Sequence, residues 1–254
     1  MAILKKIVPA ALDLLSPQLA GRIQHAQQWL RVGAPMNKQT ARLEIAREIM
    51  ELCGITRVIE TGTFLGNTTE WFAQFNVPVI TIEVLPRHFG YSSRRLKKFP
   101  NVELRLANSV DALKQLVGEP LDRSEPTFFY LDAHWYDHLP LKEEIETIFD
   151  HFAKPVIMID DFQVPDDPGY GYDDYGPGKQ LTLAYVATAR APMLSLYFPR
   201  TRSQWETGAR RGCLVAAADP MLAAALDTAP LLRCWKIAPA ANSMAPTSNV
   251  NPTP

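Results

Sequence analysis

The stretch RVIETGTFLGNTTEWFAQF, Arg57–Phe75, reads as a short apolar strand, a turn carrying Gly62 and Gly66, and the start of a helix. A glycine turn opening a helix often faces an anion, because the first helical N–H groups lack partners and the helix dipole favours negative charge. Here Glu60 stands at the mouth of the turn, where a phosphate would be repelled. A phosphate-cradling loop needs Lys and Ser/Thr after its second glycine, and GTFLGNTT has no basic residue. A dinucleotide turn needs three glycines in G-x-G-x-x-G spacing, and this one offers only Gly62 and Gly66. What remains is a strand–turn–helix cradle without pyrophosphate chemistry.

Working outward, TARLEIAREIMELC (40–53) spaces Leu43, Ile45, Ala46, Ile49, Met50 and Cys53 as one face of a helix, with Gly54 where a C-cap belongs. Downstream of the turn, Asn67 with Glu70 three residues on predicts an N-cap close to a capping box. VPVITIEV (77–84) is a β-branched run suited to a strand covered on both faces, and NVELRLA (101–107) alternates. SVDALKQLVG follows as a helix, with Ser109 as its expected N-cap and Gly118 as its terminator. TFFYLDAHW and PVIMIDDF are further buried runs separated by the amphipathic LPLKEEIETIFDHF. Strands alternating with helices predict an α/β fold with a parallel, doubly wound, Rossmann-like sheet and helices on both faces.

The chain has 254 residues, 47% of them hydrophobic and 21% charged, with a formal net charge of -1. That balance fits an ordinary globular domain and lacks the basic excess of a nucleic-acid binder. Cys53, Cys213 and Cys234 are far apart, so neither a disulfide framework nor a zinc knuckle is suggested, and a cytoplasmic setting is expected. Pro9 and Asp13 interrupt the apolar N-terminal patch too early for a transmembrane span or a signal peptide. The expected organisation is an N-terminal helical extension over 1–39, a domain over 40–237, and a disordered tail over 238–254, where charge and periodicity disappear.

Glu83 ends the second strand 21 positions after Gly62, near the spacing at which a carboxylate meets ribose hydroxyls in nucleotide-binding α/β units. An acid-flanked turn with no phosphate grip and a ribose acid suits a nucleoside bearing a positive group. At these residues the sequence resembles the class I S-adenosylmethionine-dependent methyltransferases. The resemblance covers about residues 40–218 and implies a seven-stranded, mostly parallel sheet with an antiparallel edge strand, the last strands being LSLYFPRT and RGCLVAAA. It places Glu60, Thr61, Gly62, Thr63, Phe64, Gly66 and Thr68 around the methionine moiety, Glu83 on the ribose, and Asn108 and Ser109 near the adenine.

Asp132 and Asp160 each end a buried strand, so both are expected at the carboxyl edge of the sheet. Asp161 points to the opposite face if the strand continues, or joins the site if the chain turns there. Converging carboxylates share a proton, accept from a substrate hydroxyl, or hold a hard divalent cation. The LDAHW…IDDF arrangement looks like that of the macrocin (tylosin-type) O-methyltransferases and related magnesium-dependent sugar methyltransferases. That likeness implies Asp132, Asp160 and Asp161 as metal ligands and Asp132, His134 and Asp160 as catalytic residues, with magnesium optional. Those enzymes tend to carry a histidine beside the aspartate pair, whereas this chain has Phe162 and Gln163, leaving His134 or His138 as the base.

The loop QVPDDPGYGYDDYGPGK (163–179) is too rich in Pro, Gly, Asp and Tyr for regular structure, and its acids do not follow EF-hand spacing. Tyr170, Tyr172 and Tyr175 suit stacking on a sugar or ring. The expected activity is methyl transfer from S-adenosylmethionine to a hydroxyl of a small molecule or glycan, with homo-oligomerisation open. The rivals are a nucleotide-dependent oxidoreductase and a non-catalytic ligand-binding protein on the same fold.

Overall fold

The computed structural model describes residues 15–21, 33–134, 139–190 and 192–236. Helix α1 (Thr40–Leu52) leads into strand β1 (Arg57–Thr61), and the chain then alternates through α2 (Asn67–Phe72), β2 (Val79–Glu83), α3 (Pro86–Leu96), β3 (Val102–Leu106), α4 (Ser109–Gly118), β4 (Thr127–Leu131), α5 (Leu141–His151) and β5 (Pro155–Ile159). After the long loop come α6 (Leu183–Val186), β6 (Ser195–Pro199), β7 (Leu214–Ala217), α7 (Pro220–Asp227) and β8 (Leu232–Trp235).

The sheet order is β3-β2-β1-β4-β5-β7-β6-β8. The first five strands are mutually parallel. Strand β7 runs antiparallel to both β5 and β6, and β8 runs antiparallel on β6. The antiparallel end therefore stands where expected, but among the described residues the sheet has eight strands. Strand β8 escapes a sequence reading because it is short and only its first residue, Leu232, is fully buried. The order reverses between β1 and β4, the place where open α/β sheets bind ligands beyond their strand ends.

The two-residue period of the strands sorts the core into two layers. Val58, Phe128 and Val156 pack with Ile45 and Ile49 of α1, Phe72 of α2 and Leu222 and Leu226 of α7. Ile59, Phe129 and Ile157 pack on the other face with Leu113 and Leu116 of α4 and Ile145 and Ile148 of α5. Burying both faces explains why these strands read as continuous apolar runs.

Two helix starts shift by one residue from expectation. Gly66, in the left-handed region at φ 74°, caps α2, and Asn67 is its first helical residue without a side-chain cap bond. Asn108 rather than Ser109 caps α4, its side chain accepting from the Val110 N–H at 3.0 Å. Residues 17–21 form a helical turn; residues 1–14 and 22–32 of the expected N-terminal extension, and the expected tail over 238–254, lie outside the described residues. Among the described residues no helix is long and apolar enough to cross a membrane.

Candidate active site

The glycine turn is closed by its own backbone. The Gly62 and Thr63 N–H groups both donate to the Ile82 carbonyl at 3.0 and 3.1 Å, and the Gly66 N–H donates to the Thr63 carbonyl at 2.8 Å. The Phe64 N–H donates to Glu83 Oε2 at 2.7 Å. These four amides are committed within the protein. Gly62 sits at φ 89°, and a Cβ there would run into the Asp132 carbonyl, so only glycine lets the ends of β1 and β4 come together.

A cavity of about 650 Å³ opens at this point, lined by Gly62, Phe64, Glu83, Asn108 and Ser109 on one side and by Asp132, His134, Asp161, Asp173 and Tyr175 on the other. The volume is that of a small-ligand site. Glu83 is held rigidly: its second oxygen accepts from the Leu85 N–H at 2.8 Å. Phe64 has φ 49°, unusual for a non-glycine residue, and meets His88 edge to face at 4.8 Å. This leaves the Phe64 ring 43% exposed at the cavity wall.

Strand parity alone does not decide which acids reach the cavity: Glu60 and Glu83 share one parity, and only Glu83, at the last position of β2, lines it. Glu60 pairs across the sheet with Thr81 and Tyr130, and its side chain lies on the face covered by α1 and α2. It accepts from Thr81 Oγ1 at 2.6 Å and from the Thr69 hydroxyl of α2, and is buried beneath the turn instead of standing at its mouth. Burial pushes its carboxyl up to about 7, against the lowering effect of the two threonine hydroxyls. Asp160 lies on the same covered face. There it pairs with the Arg42 guanidinium of α1 and accepts from Tyr130 Oη at 2.6 Å.

Asp161 turns the other way because its backbone adopts φ 51°, ending the strand direction at once. Its Oδ1 accepts from Arg211 Nε at 2.9 Å, and the same guanidinium also pairs with Asp173 of the long loop. Tyr175 Oη donates to the His134 carbonyl at 3.1 Å and to Asp173, so the loop is fastened to the end of β4. Of the three loop tyrosines named above, Tyr175 lines the cavity, while Tyr170 is buried and donates to the Thr201 carbonyl at 2.9 Å.

His134 is buried, lines the cavity, and has no hydrogen-bond partner on either ring nitrogen; its Nε2 lies 3.9 Å from Asp132 Oδ1. Desolvation holds its pKa below the ordinary histidine range, so the imidazole is neutral at pH 7. Asp132 is raised, first by desolvation and then by the charge of Asp161. His138 lies outside the described residues.

The remaining expected donor residues support the turn from behind. Thr63 and Thr81 share a buried hydroxyl contact of 2.6 Å, Thr68 Oγ1 accepts from the Met36 N–H at 3.1 Å, and Thr61 faces α5. The three aspartates expected to share a metal are not brought together, since Asp160 is committed to Arg42 on the opposite face and Asp161 to Arg211. Among the described residues no group of His, Cys, Asp and Glu is placed to hold a metal ion. Sequence reasoning missed Arg42 and Arg211. One sits among apparent surface charges of an amphipathic helix and the other in a polar connection, and only their partners' positions disclose them.

No protein-family model matches the chain, and no curated protein sequence matches it. Among solved structures, it is similar to an O-methyltransferase from Bacillus cereus in complex with SAH, with TM-score 0.50 and 19% identity over 70% of this chain and 80% of that one. It is also similar to the O-methyltransferase TomG from Streptomyces achromogenes, involved in tomaymycin synthesis and solved with SAM, with TM-score 0.51 and 17% identity over 80% of this chain and 88% of that one. These likenesses establish a shared Rossmann-like fold.

Proposed function

We propose that this chain is a class I S-adenosylmethionine-dependent methyltransferase that methylates a hydroxyl of a small molecule or glycan. The observation that carries the reading is one cavity at the sheet's switch point with Glu83 on one wall and the unpartnered His134 on the other, beside a glycine turn that carries no basic residue. The missing third glycine of the turn counts against a dinucleotide pyrophosphate.

In this reading Glu83 accepts from ribose hydroxyls, Asn108 and Ser109 border the adenine, and Gly62 and Phe64 border the methionine moiety. S-adenosylmethionine, when bound, supplies an electrophilic methyl group on a sulfonium. An acceptor hydroxyl needs a base as it attacks, and neutral His134 is the group at the cavity able to take that proton. Asp132 lies 3.9 Å from the imidazole, and the charges of Asp161 and Asp173 favour the imidazolium that forms. Tyr175, by holding the His134 carbonyl, fixes the base relative to the acceptor, and much of the rate comes from such alignment. Arg42 and Arg211 already supply the positive partners of Asp160 and Asp161, so no step is assigned to magnesium.

The catalytic unit is the domain over 40–237, and a cytoplasmic location accords with the free thiols of Cys53, Cys213 and Cys234. Calorimetric titration with S-adenosylmethionine and an acceptor screen scored by S-adenosylhomocysteine release test the proposal. Binding with turnover supports it, binding without turnover over a broad hydroxylated panel favours a non-catalytic binder, and no binding at millimolar donor contradicts it.

A further inference from the structure

Arg211, in the connection that leads into β7, is seated firmly by its own backbone. Its N–H donates to Gln39 Oε1 at 3.0 Å, and its carbonyl accepts from Gln39 Nε2 at 2.8 Å and from the Arg42 guanidinium. The Arg211 guanidinium lies against Gly171 of the long loop, where a Cβ would stand only 3.2 Å from Nη1, so the glycine makes room for it. The loop backbone is paired alongside. The Gly171 N–H donates to the Arg210 carbonyl at 2.9 Å, and the Gly212 N–H donates to the Gly171 carbonyl at 2.8 Å.

From this seat the guanidinium reaches two acids that line the cavity: Asp161, just past β5, and Asp173 of the loop. The Asp173 N–H also donates to the Asp161 carbonyl at 2.9 Å, so main chain and side chains fasten the loop to the sheet at one point. Tyr175 Oη then joins Asp173 to the His134 carbonyl. Carboxylates gathered from a strand end and a loop are an arrangement that a hard divalent cation often holds together. Here a side chain does so. A guanidinium stays charged at every working pH, and its planar fork matches carboxylate geometry. A divalent cation arriving at Asp161 and Asp173 would be repelled by Arg211, or would have to displace it and leave a part-buried charge unpaired.

We infer, resting on the methyltransferase reading of the cavity, that Arg211 is a built-in cation for its acceptor side, standing where the sequence likeness implies magnesium. It is a positioning residue: it holds Asp161 and Asp173 together and, through Tyr175, fixes the end of β4 that carries His134, with no divalent ion needed. Asp160, the third acid of the implied metal set, is already held by Arg42 on the other face. The two arginines thus divide the acids that a metal would have gathered.

The test titrates the full chain with Mn²⁺ alone, read by electron paramagnetic resonance, in wild type, Asp161→Asn, Arg211→Ala and the Arg211→Ala, Asp161→Asn double variant. Wild type and Asp161→Asn are expected to take up the same small amount at millimolar Mn²⁺. Arg211→Ala, with its acids unpaired, is expected to bind Mn²⁺ at least about tenfold more tightly than wild type, and the double variant to lose that gain. Hydrogen exchange over 163–179 gives a second readout. Protection of the Gly171 and Asp173 amides should fall by about tenfold or more in Arg211→Ala, return in part in Arg211→Lys, and stay unchanged in wild type with EDTA or Mg²⁺. Mn²⁺ uptake by wild type that Asp161→Asn abolishes, or wild-type protection that EDTA lowers, overturns the role of Arg211, and this comparison stands even if Arg211→Ala fails to fold. A folded Arg211→Ala that binds no more Mn²⁺ than wild type also overturns it. None of these readouts uses the donor, so failure of wild type to bind S-adenosylhomocysteine counts separately, against the methyltransferase reading.

Discussion

The Arg42 guanidinium of α1 closes on the Asp160 carboxylate at the end of β5, with the two side chains 1% and 0% exposed. The same arginine donates to the Gly212 carbonyl at 2.8 Å and to the Arg211 carbonyl, so one side chain ties α1, β5 and the approach to β7. Removing one partner of a buried pair leaves an uncompensated charge. Arg42→Met is expected to cost about 3–5 kcal/mol in urea denaturation, and the paired change with Asp160→Leu to recover most of that loss. A double variant as unstable as the single one would show that the charge pair is not what holds the region.

Glu60 links stability to pH. Its folded pKa of about 7 lies above the ordinary 4.5, so the folded chain holds a proton that the unfolded chain releases. The resulting stabilisation is present below about pH 4.5 and is lost as pH rises through about 7. Glu60→Gln has no charge to bury, so its stability relative to wild type should rise between pH 5 and pH 8 by up to about 3 kcal/mol. Thermal melts of both proteins across that range provide the measurement, and a constant difference would contradict the assignment.

Gly62 and Gly176 both have positive φ, 89° and 102°, but only the first has backbone in the way of a side chain. Gly62→Ala should cost at least about 2 kcal/mol and weaken donor binding, because β1 and β4 must separate. Gly176→Ala, facing open space, should cost only the backbone strain of about 1 kcal/mol and leave donor affinity intact. Equal penalties would mean that the close approach at Asp132 is unimportant.

His134→Ala should divide chemistry from binding. Loss of a positioned base lowers kcat by about 10²–10⁴-fold. Donor affinity, set by Glu83 and the turn across the cavity, should change by no more than about twofold. Single-turnover rates and calorimetry on the same preparation separate the two, and a matching loss in both would make His134 a donor-binding residue instead.

The sequence legibly showed what depends on local pattern. The runs 57–61, 79–83, 127–131 and 155–159 are mostly apolar and almost wholly buried because both sheet faces are covered, and the acids Glu60, Glu83, Asp132 and Asp160 stand at or beside their ends. It did not show which acids reach the cavity. Glu60 and Asp160 look equivalent to Glu83 and Asp161 in one dimension, but the first two are held in the α1–α2 layer by Thr69, Thr81 and Arg42, while Glu83, of the same parity as Glu60, stands at the end of its strand. The φ of 51° at Asp161 likewise cannot be read from an Asp-Asp-Phe triplet.

The most direct measurement is calorimetric titration of S-adenosylhomocysteine into wild type, Glu83→Gln and Glu83→Ala. Glu83 also anchors the Phe64 and Leu85 amides, so the glutamine variant, which keeps an acceptor oxygen, guards against mere loss of the turn. The expected result is clear binding to wild type, weaker binding to Glu83→Gln, and a loss of about 10- to 100-fold in Glu83→Ala, the worth of charge-assisted hydrogen bonds to the ribose. No heat from wild type at millimolar ligand, or full affinity in Glu83→Ala, would contradict the assignment of this cavity to a methyl donor.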